Sequence, residues 1–287
     1  MAETPDLIAL VTGASRGAGR GIALELGSAG ATVYVTGRSI EGGPTTDNVP
    51  GTIDETARGV TARGGRGLAI RCDHRSDADV HAVFDRIRRD HGRLDVLVNN
   101  VWGGYEDPAC RPLPIKPFWE QSPGQWDGMF TAGVRAHLVA SSRAVPLMLP
   151  GRRGLIVHTT ANVEALPYLP NLFYDVSKHA VARLAWAMAQ ELRPHGIAAV
   201  ALAPGFMRTE RVVEAFRRAG MGDRLEAPGG PSETPAYLGR AVVALAADPR
   251  VIEKTGALLE VGVLAREYGF TDVNGTQPPP FRAPEIP

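Results

Sequence analysis

An apolar run, Leu7 to Val11, leads directly into Thr12-Gly13-Ala14-Ser15-Arg16-Gly17-Ala18-Gly19, and a helical pattern with Ile22, Leu24 and Leu26 follows. Strand, glycine turn and helix start, in that order, constrain the chain more than any other feature. Glycine lets backbone approach a phosphate closely, and the free N–H groups at the helix start supply donors and partial positive charge. The spacing is G-x-x-x-G-x-G rather than the commoner dinucleotide fingerprint G-x-G-x-x-G. Alone, the stretch reads either as a nucleotide site or as a plain turn.

The alternation continues along the chain. Strands are expected at Ala31 to Thr36, Gly67 to Arg71, Leu94 to Val98, Gly154 to Thr160, Gly196 to Leu202 and Ala257 to Val261. Between them run helical patterns from Thr52 or Asp54 to Arg63, Asp77 to His91, about Pro123 to Leu149, and over 171–193 and 235–247. Strands separated by helices imply βαβ units, hence a doubly wound parallel sheet of about seven strands in a Rossmann-type α/β domain over 1–273. A tail over 274–287, with five prolines, reads as an extended arm. The Pro-rich insertion 103–125 and the glycine-containing segment 206–230 read as lids.

The formal net charge is zero, which implies no general attraction to nucleic acid or anionic lipid. No run of about 18 apolar residues and no signal-peptide pattern appears, so a soluble, cytoplasmic protein is expected. Cys72 and Cys110 form neither a disulfide framework nor a metal-ligand pattern, and no metal is expected.

In a NAD-binding fold an acidic residue lies about 20 residues beyond the glycine loop and holds the ribose 2′-hydroxyl. This chain has Gly37-Arg38-Ser39 there. With no carboxylate to repel a 2′-phosphate, and with Arg38 and Arg16 to pair with one, the pattern favours NADPH, unless both arginines are merely solvated. Asp73, after the third strand, reads either as acceptor for the adenine amino group or as part of the next helix's cap.

Tyr174-Asp175-Val176-Ser177-Lys178 sets Tyr174 and Lys178 at i and i+4, on one helix face. Free tyrosine titrates near pH 10, and a nearby ammonium favours the phenolate, so the pair can give or take a proton at a carbonyl or alcohol near neutral pH. Only three of the 31 basic residues are lysines, which makes one at this place harder to dismiss.

With these residues in order, the chain resembles the short-chain dehydrogenase/reductase family over nearly its whole length. The matching motifs are Thr12-Gly13-x3-Gly17-x-Gly19, Asn99-Asn100, Tyr174-x3-Lys178, and Pro204-Gly205 with Thr209. Within the family, Thr36-Gly37-Arg38, Arg93 to Asn100, Phe118-Trp119-Glu120 and Ala265-Arg266-x-Tyr268-Gly269 are similar to the branch of dehydrogenase/reductase member 1. The resemblance implies a nicotinamide-dependent oxidoreductase: Tyr174 as acid/base, Lys178 on the nicotinamide ribose, Asn99 steadying the adenosine side and Thr209 reaching the nicotinamide amide. Gly13, Ser15, Gly17, Gly19, Pro204 and Gly205 complete the implied cofactor site.

Two positions depart from the family pattern. The usual catalytic serine, about 13 residues before the tyrosine, is Ala161; Thr160 is adjacent and Thr159 one further back, and Thr160 is the residue expected to supply the hydroxyl. A lost oxyanion donor costs about 3–4 kcal/mol, two to three decades in rate. The family's helix-four asparagine falls at Gly133; Arg135 and His137 are its possible substitutes, or plain helix-surface and subunit-contact residues.

Trp102, Tyr105, Val163, Tyr168, Leu169, Phe173, Phe206 and Met207 are candidates for the substrate space, with about half expected in the core. Their apolar character fits a hydrophobic ketone, aldehyde or secondary alcohol. The two long helices carry apolar positions on more than one face, and a homodimer or homotetramer is expected. Competing readings are a nicotinamide-cofactor-binding protein with little catalysis, acting as sensor or partner subunit, and a flavin-type module that would leave Tyr174 and Lys178 without a role.

Overall fold

A computed structural model describes residues 7–46, 49–104, 117–162, 168, 171–220 and 232–282. Strand β1 (Ile8–Val11) is buried throughout because it pairs on both edges, with β2 (Thr32–Gly37) on one side and β4 (Val96–Asn99) on the other. From there the sheet extends through β3 (Arg66–Arg71) one way, and through β5 (Gly154–Thr159), β6 (Ile197–Ala203) and β9 (Leu258–Glu260) the other. All seven strands are parallel, in the order β3-β2-β1-β4-β5-β6-β9. The expected doubly wound α/β sheet is therefore present.

Side chains alternate across β1: Ala9 and Val11 enter one core, Ile8 and Leu10 the other. The first core packs α1 (Gly17–Ser28), α2 (Ile53–Ala62), α7 (Pro235–Ala247) and α8 (Val261–Tyr268) through Ile22, Leu26, Val60, Leu238, Val242 and Leu264. The second packs α3 (Asp77–His91), α4 (Ala136–Met148) and α5 (Leu172–Leu192) through Phe84, Ile87, Met148 and Leu192. Each such side chain contributes about 1.5–3 kcal/mol on burial, which commits both faces of the sheet and leaves its strand ends for chemistry.

Local signals fix the helix starts. Thr52, not Asp54, caps α2: its hydroxyl accepts from the Glu55 N–H at 3.1 Å while Glu55 accepts from the Thr52 N–H at 3.0 Å. Ser76 caps α3, which ends at Gly92 in the left-handed region (φ 69°). Asp73 is not the cap residue itself but belongs to the capping network: its N–H donates to the Asp79 carboxylate at 2.9 Å and its carbonyl accepts from the Ser76 N–H at 2.8 Å.

The single helix expected from about Pro123 begins later and in another form. Residues Asp127–Arg135 make a π-helix that passes into α4. The wider turn brings Gly128 and Gly133 against the segment after β4, where a Cβ on Gly128 would lie 2.6 Å from the Gly103 carbonyl oxygen. Segment 206–233 leaves and rejoins the domain through two short paired strands, β7 (Phe206–Met207) and β8 (Ser232–Glu233), and carries α6 (Glu210–Arg218). The described part of the tail lies against the domain: the Tyr237 hydroxyl donates to the Pro278 carbonyl, and Gly262 leaves room for Pro278 to Pro280. No helix among the described residues is long and apolar enough to cross a membrane.

Candidate active site

The strand order reverses between β2 and β4 around β1, and in open α/β sheets ligands bind beyond the carboxyl ends of the strands at that point. A cleft of about 450 Å³ lies there. Its lining joins the glycine loop (Gly13, Ser15, Arg16, Gly17), Arg38, Asp73, Asn100 to Trp102, Thr159, Thr160, Tyr174, Lys178, Pro204 to Met207 and Thr209 to Val212.

The loop is held by its neighbours. Gly13 and Gly17 take φ of 65° and 56°, conformations that favour glycine. Asn100, just past the end of β4, clamps the loop: its side-chain amide donates to the carbonyls of Thr12 and Gly13, both at 3.1 Å. Gly19 is absent from the cleft wall; a Cβ there would sit 2.5 Å from the Gly13 oxygen, so it serves close packing. At the start of α1, the Gly17 N–H donates to the Glu210 carboxylate at 2.9 Å, a negative group seated where a helix N-terminus favours an anion.

Two expectations, for Arg16 and Asn99, change at the adenosine end. Arg16 is spent on the 39–51 loop: its guanidinium donates to the carbonyls of Thr46, Pro50 and Gly51 and to the Ser39 hydroxyl. Arg38 remains on the wall, 3.9 Å from the Asp73 carboxylate. Arg75, not singled out from the sequence, binds Asp73 with Nε at 3.1 Å and Nη2 at 2.8 Å and holds its carboxyl down at about 2, so Asp73 is an ionised, arginine-paired acceptor. Asn99 faces away from the cleft: fully buried, it donates to Ser141 Oγ at 2.9 Å behind the strand, and its neighbour Asn100 does the work at the loop.

Tyr174 and Lys178 share the cleft-facing side of α5, with the ammonium 5.7 Å from the phenol ring centroid. Asn171 caps this helix by accepting from the Tyr174 N–H at 2.8 Å, so the acid/base candidate sits in a fixed first turn. Burial lowers Lys178 from the usual lysine range to about 8. Thr160 does not offer its proton to the cleft, because its hydroxyl donates to the Lys178 carbonyl at 2.9 Å. Among the described residues Thr159 has two long contacts, 3.4 Å to the Asn99 carbonyl and to Asn100 Oδ1, and is the freer hydroxyl. Ala161 is buried and off the cleft wall.

Neither substitute for the helix-four asparagine lies on that wall. Arg135 makes a two-pronged ion pair with Asp77, 2.7 Å at both contacts. His137 is buried against the Val101 carbonyl, 3.2 Å, and His158, 3.5 Å; burial holds it neutral.

Trp102, Phe206 and Met207 line the cleft, whereas Phe173 and the 55% exposed Tyr168 do not. Tyr105, Val163 and Leu169 lie outside the described residues. Pro204, Gly205 and Thr209 are on the wall opposite α5, and Thr209 also caps α6 by accepting from the Val212 N–H. Among the described residues no group of three or more His, Cys, Asp or Glu has metal-site geometry.

A parallel sheet with a glycine loop at its switch point and a tyrosine–lysine helix across the cleft defines a dinucleotide-dependent oxidoreductase class. The family model of the short chain dehydrogenases matches residues 7–219, and the chain belongs to the short-chain dehydrogenase/reductase family. Within it the chain falls in the branch of dehydrogenase/reductase SDR family member 1. The Mus musculus protein of that name is 38% identical over 274 residues, 93% of this chain and 83% of the relative; the Homo sapiens protein is 37% identical over the same length. Among solved structures, a short-chain dehydrogenase from Mycobacterium thermoresistibile is similar with a TM-score of 0.77 at 25% identity, covering 96% of this chain and 91% of that one.

Proposed function

We propose that the protein interconverts a hydrophobic ketone or aldehyde and its alcohol with NADPH (NADP+) as the hydride carrier. The carrying observation is that one cleft joins the glycine loop to Tyr174 and Lys178. The residues present fit the cofactor: the Gly17 amide holds an anionic oxygen from Glu210, and the α1 N-terminus behind it suits a pyrophosphate. Arg38, with Arg75 beside it, favours the 2′-phosphate form over NADH, a reading that no longer leans on Arg16.

When bound, the nicotinamide supplies the hydride. Tyr174 gives the carbonyl oxygen its proton in reduction, or takes one from the alcohol in oxidation, while the Lys178 charge lowers the cost of the phenolate left behind. Thr159 is the candidate second donor to that oxygen. Trp102, Phe206 and Met207 exclude water and select an apolar substrate.

Ala161, with Thr160 turned to a backbone carbonyl, favours one second reading, a cofactor binder with slow chemistry. NADPH oxidation with a panel of hydrophobic ketones separates the two. Turnover abolished by Tyr174→Phe supports the enzyme, and tight binding without turnover supports the binder.

We further propose that the chain is a homodimer or homotetramer, because Leu138 on α4 and Val176 and Trp186 on α5 leave 50%, 45% and 41% of their surface exposed. A monomer mass by light scattering at micromolar concentration refutes that. A cytoplasmic location accords with Cys72, a buried free thiol that burial pushes up to about 12.

A further inference from the structure

Lys178 carries its charge in an unusual setting. Its ammonium stands over the indole of Trp102, 3.9 Å from the ring centroid, and no hydrogen bond or ion pair to Nζ forms among the described residues. The same indole meets the Tyr174 ring edge to face, with centroids 5.7 Å apart and planes at 83°. Trp102 therefore touches both members of the acid/base pair.

The indole is seated by two glycines. A Cβ on Gly104 would fall 2.5 Å from Trp102 Cζ2, and one on Gly133 would fall 3.0 Å from Cε3. Gly133 belongs to the π-helix, so the widened turn and the missing side chain together make the space the ring fills. The face of an indole is electronegative and attracts a cation placed over it.

We infer that Trp102 is a positioning residue that holds the charged Lys178 ammonium beside Tyr174, its ring face standing in for hydrogen-bond acceptors. This rests on the oxidoreductase reading above, to which it adds the group that keeps the lysine charged in place. The other groups around the lysine cannot do so. Tyr174 on the same helix is the group being served, and Thr160 reaches only the Lys178 backbone. His137, from α4, is held neutral by burial with Lys178 itself contributing, and His158 stands behind it, also neutral.

Only three lysines occur, so selective 13C labelling of lysine side chains in the full chain gives three ε-methylene signals, and Lys178→Met identifies one of them. In the cofactor-free native protein that signal is expected upfield from ring current. In Trp102→Leu it returns to the ordinary position, and its titration midpoint falls by about 0.4 to 1.5 pH units, the size of a cation–π contact. Trp102→Phe recovers part of both. For turnover, Trp102→Leu is expected to lower kcat at least tenfold with a smaller change in KM, and Trp102→Phe to restore part of it. An ordinary native shift, a midpoint that stays or rises in folded Trp102→Leu, or a native kcat in that variant overturns the inference. Both NMR signatures in a protein that turns over no carbonyl would overturn the reductase reading and leave the contact standing.

Discussion

On the proposed NADPH reading the Gly17 amide that Glu210 holds would receive a cofactor phosphate, and removing Glu210 tests that reading quantitatively. Its carboxylate accepts from the Gly17 N–H at 2.9 Å, and the residue is exposed. An exposed anion at a helix N-terminus is worth about 0.5–1 kcal/mol after solvent screening. That corresponds to an occupied-to-free ratio of about 2 to 5, so only about a third to a sixth of molecules present a free amide. A ligand that needs this amide then binds with its affinity reduced by that fraction, and Glu210→Ala should tighten NADPH binding about three- to sixfold. Calorimetric titration at low salt measures it. The gain over the native chain should shrink at 0.5 M salt, where exposed charges are screened over roughly 4 Å. An unchanged or weaker Kd in the variant refutes the argument, because the carboxylate would then not compete for the seat.

Lys178→Met should raise thermal stability at neutral pH, since burial lowers the folded lysine to about 8 while the unfolded chain stays near 10.5. Between those values the unfolded state binds more protons and native stability climbs with pH, so the gap between variant and native melting temperatures closes over that window. Thr159→Val should reduce kcat by up to two to three decades if its hydroxyl meets the substrate oxygen, whereas Thr160→Val should act mainly on stability; equal kcat losses would contradict this assignment. His74, held at about 4, and His158, at about 3, are buried and neutral, so the unfolded chain gains protons first as pH falls below 6.5. Each should cost about 2 kcal/mol of stability between pH 7 and pH 5, read as a lower urea midpoint, and a pH-independent midpoint would count against their neutral burial.

The seven strands were legible because strands buried on both faces of a parallel sheet leave short apolar runs, and the turn residues around Leu7 to Val11 or Gly196 to Leu202 bound them. Caps were legible where the pattern is local, as with Thr52 and Glu55, three residues apart. The π-helix was not: its hydrogen-bond count follows from how Gly128 and Gly133 pack against the segment after β4, which no local propensity records. Helix α6 was read as a lid segment, since its nine residues have no buried side chain to give a core-facing stripe.

The site divides along the same physical line. Tyr174 and Lys178 were readable because their spacing is set within one helix, whereas the loop bonds of Arg16, which still lines the cleft, and the buried seat of Asn99 were not, because the fate of a polar side chain depends on acceptors far away in sequence. The acceptors of Arg16 lie 23 to 35 residues on, in a loop that looked merely exposed, and they take four of the five N–H groups of a guanidinium that spacing alone had assigned to a phosphate. Asn99 ends β4 and Asn100 follows it, and the alternation carried past the strand end sends one side chain behind the sheet and the other to the glycine loop. The same dependence hid the second contact of Trp102, legible only as cleft wall: only the folded chain brings two glycines, 29 residues apart, to its edges and a lysine over its face. A site built from one reactive pair and a shell of distant partners therefore yields its chemistry to sequence reading and its control to structure.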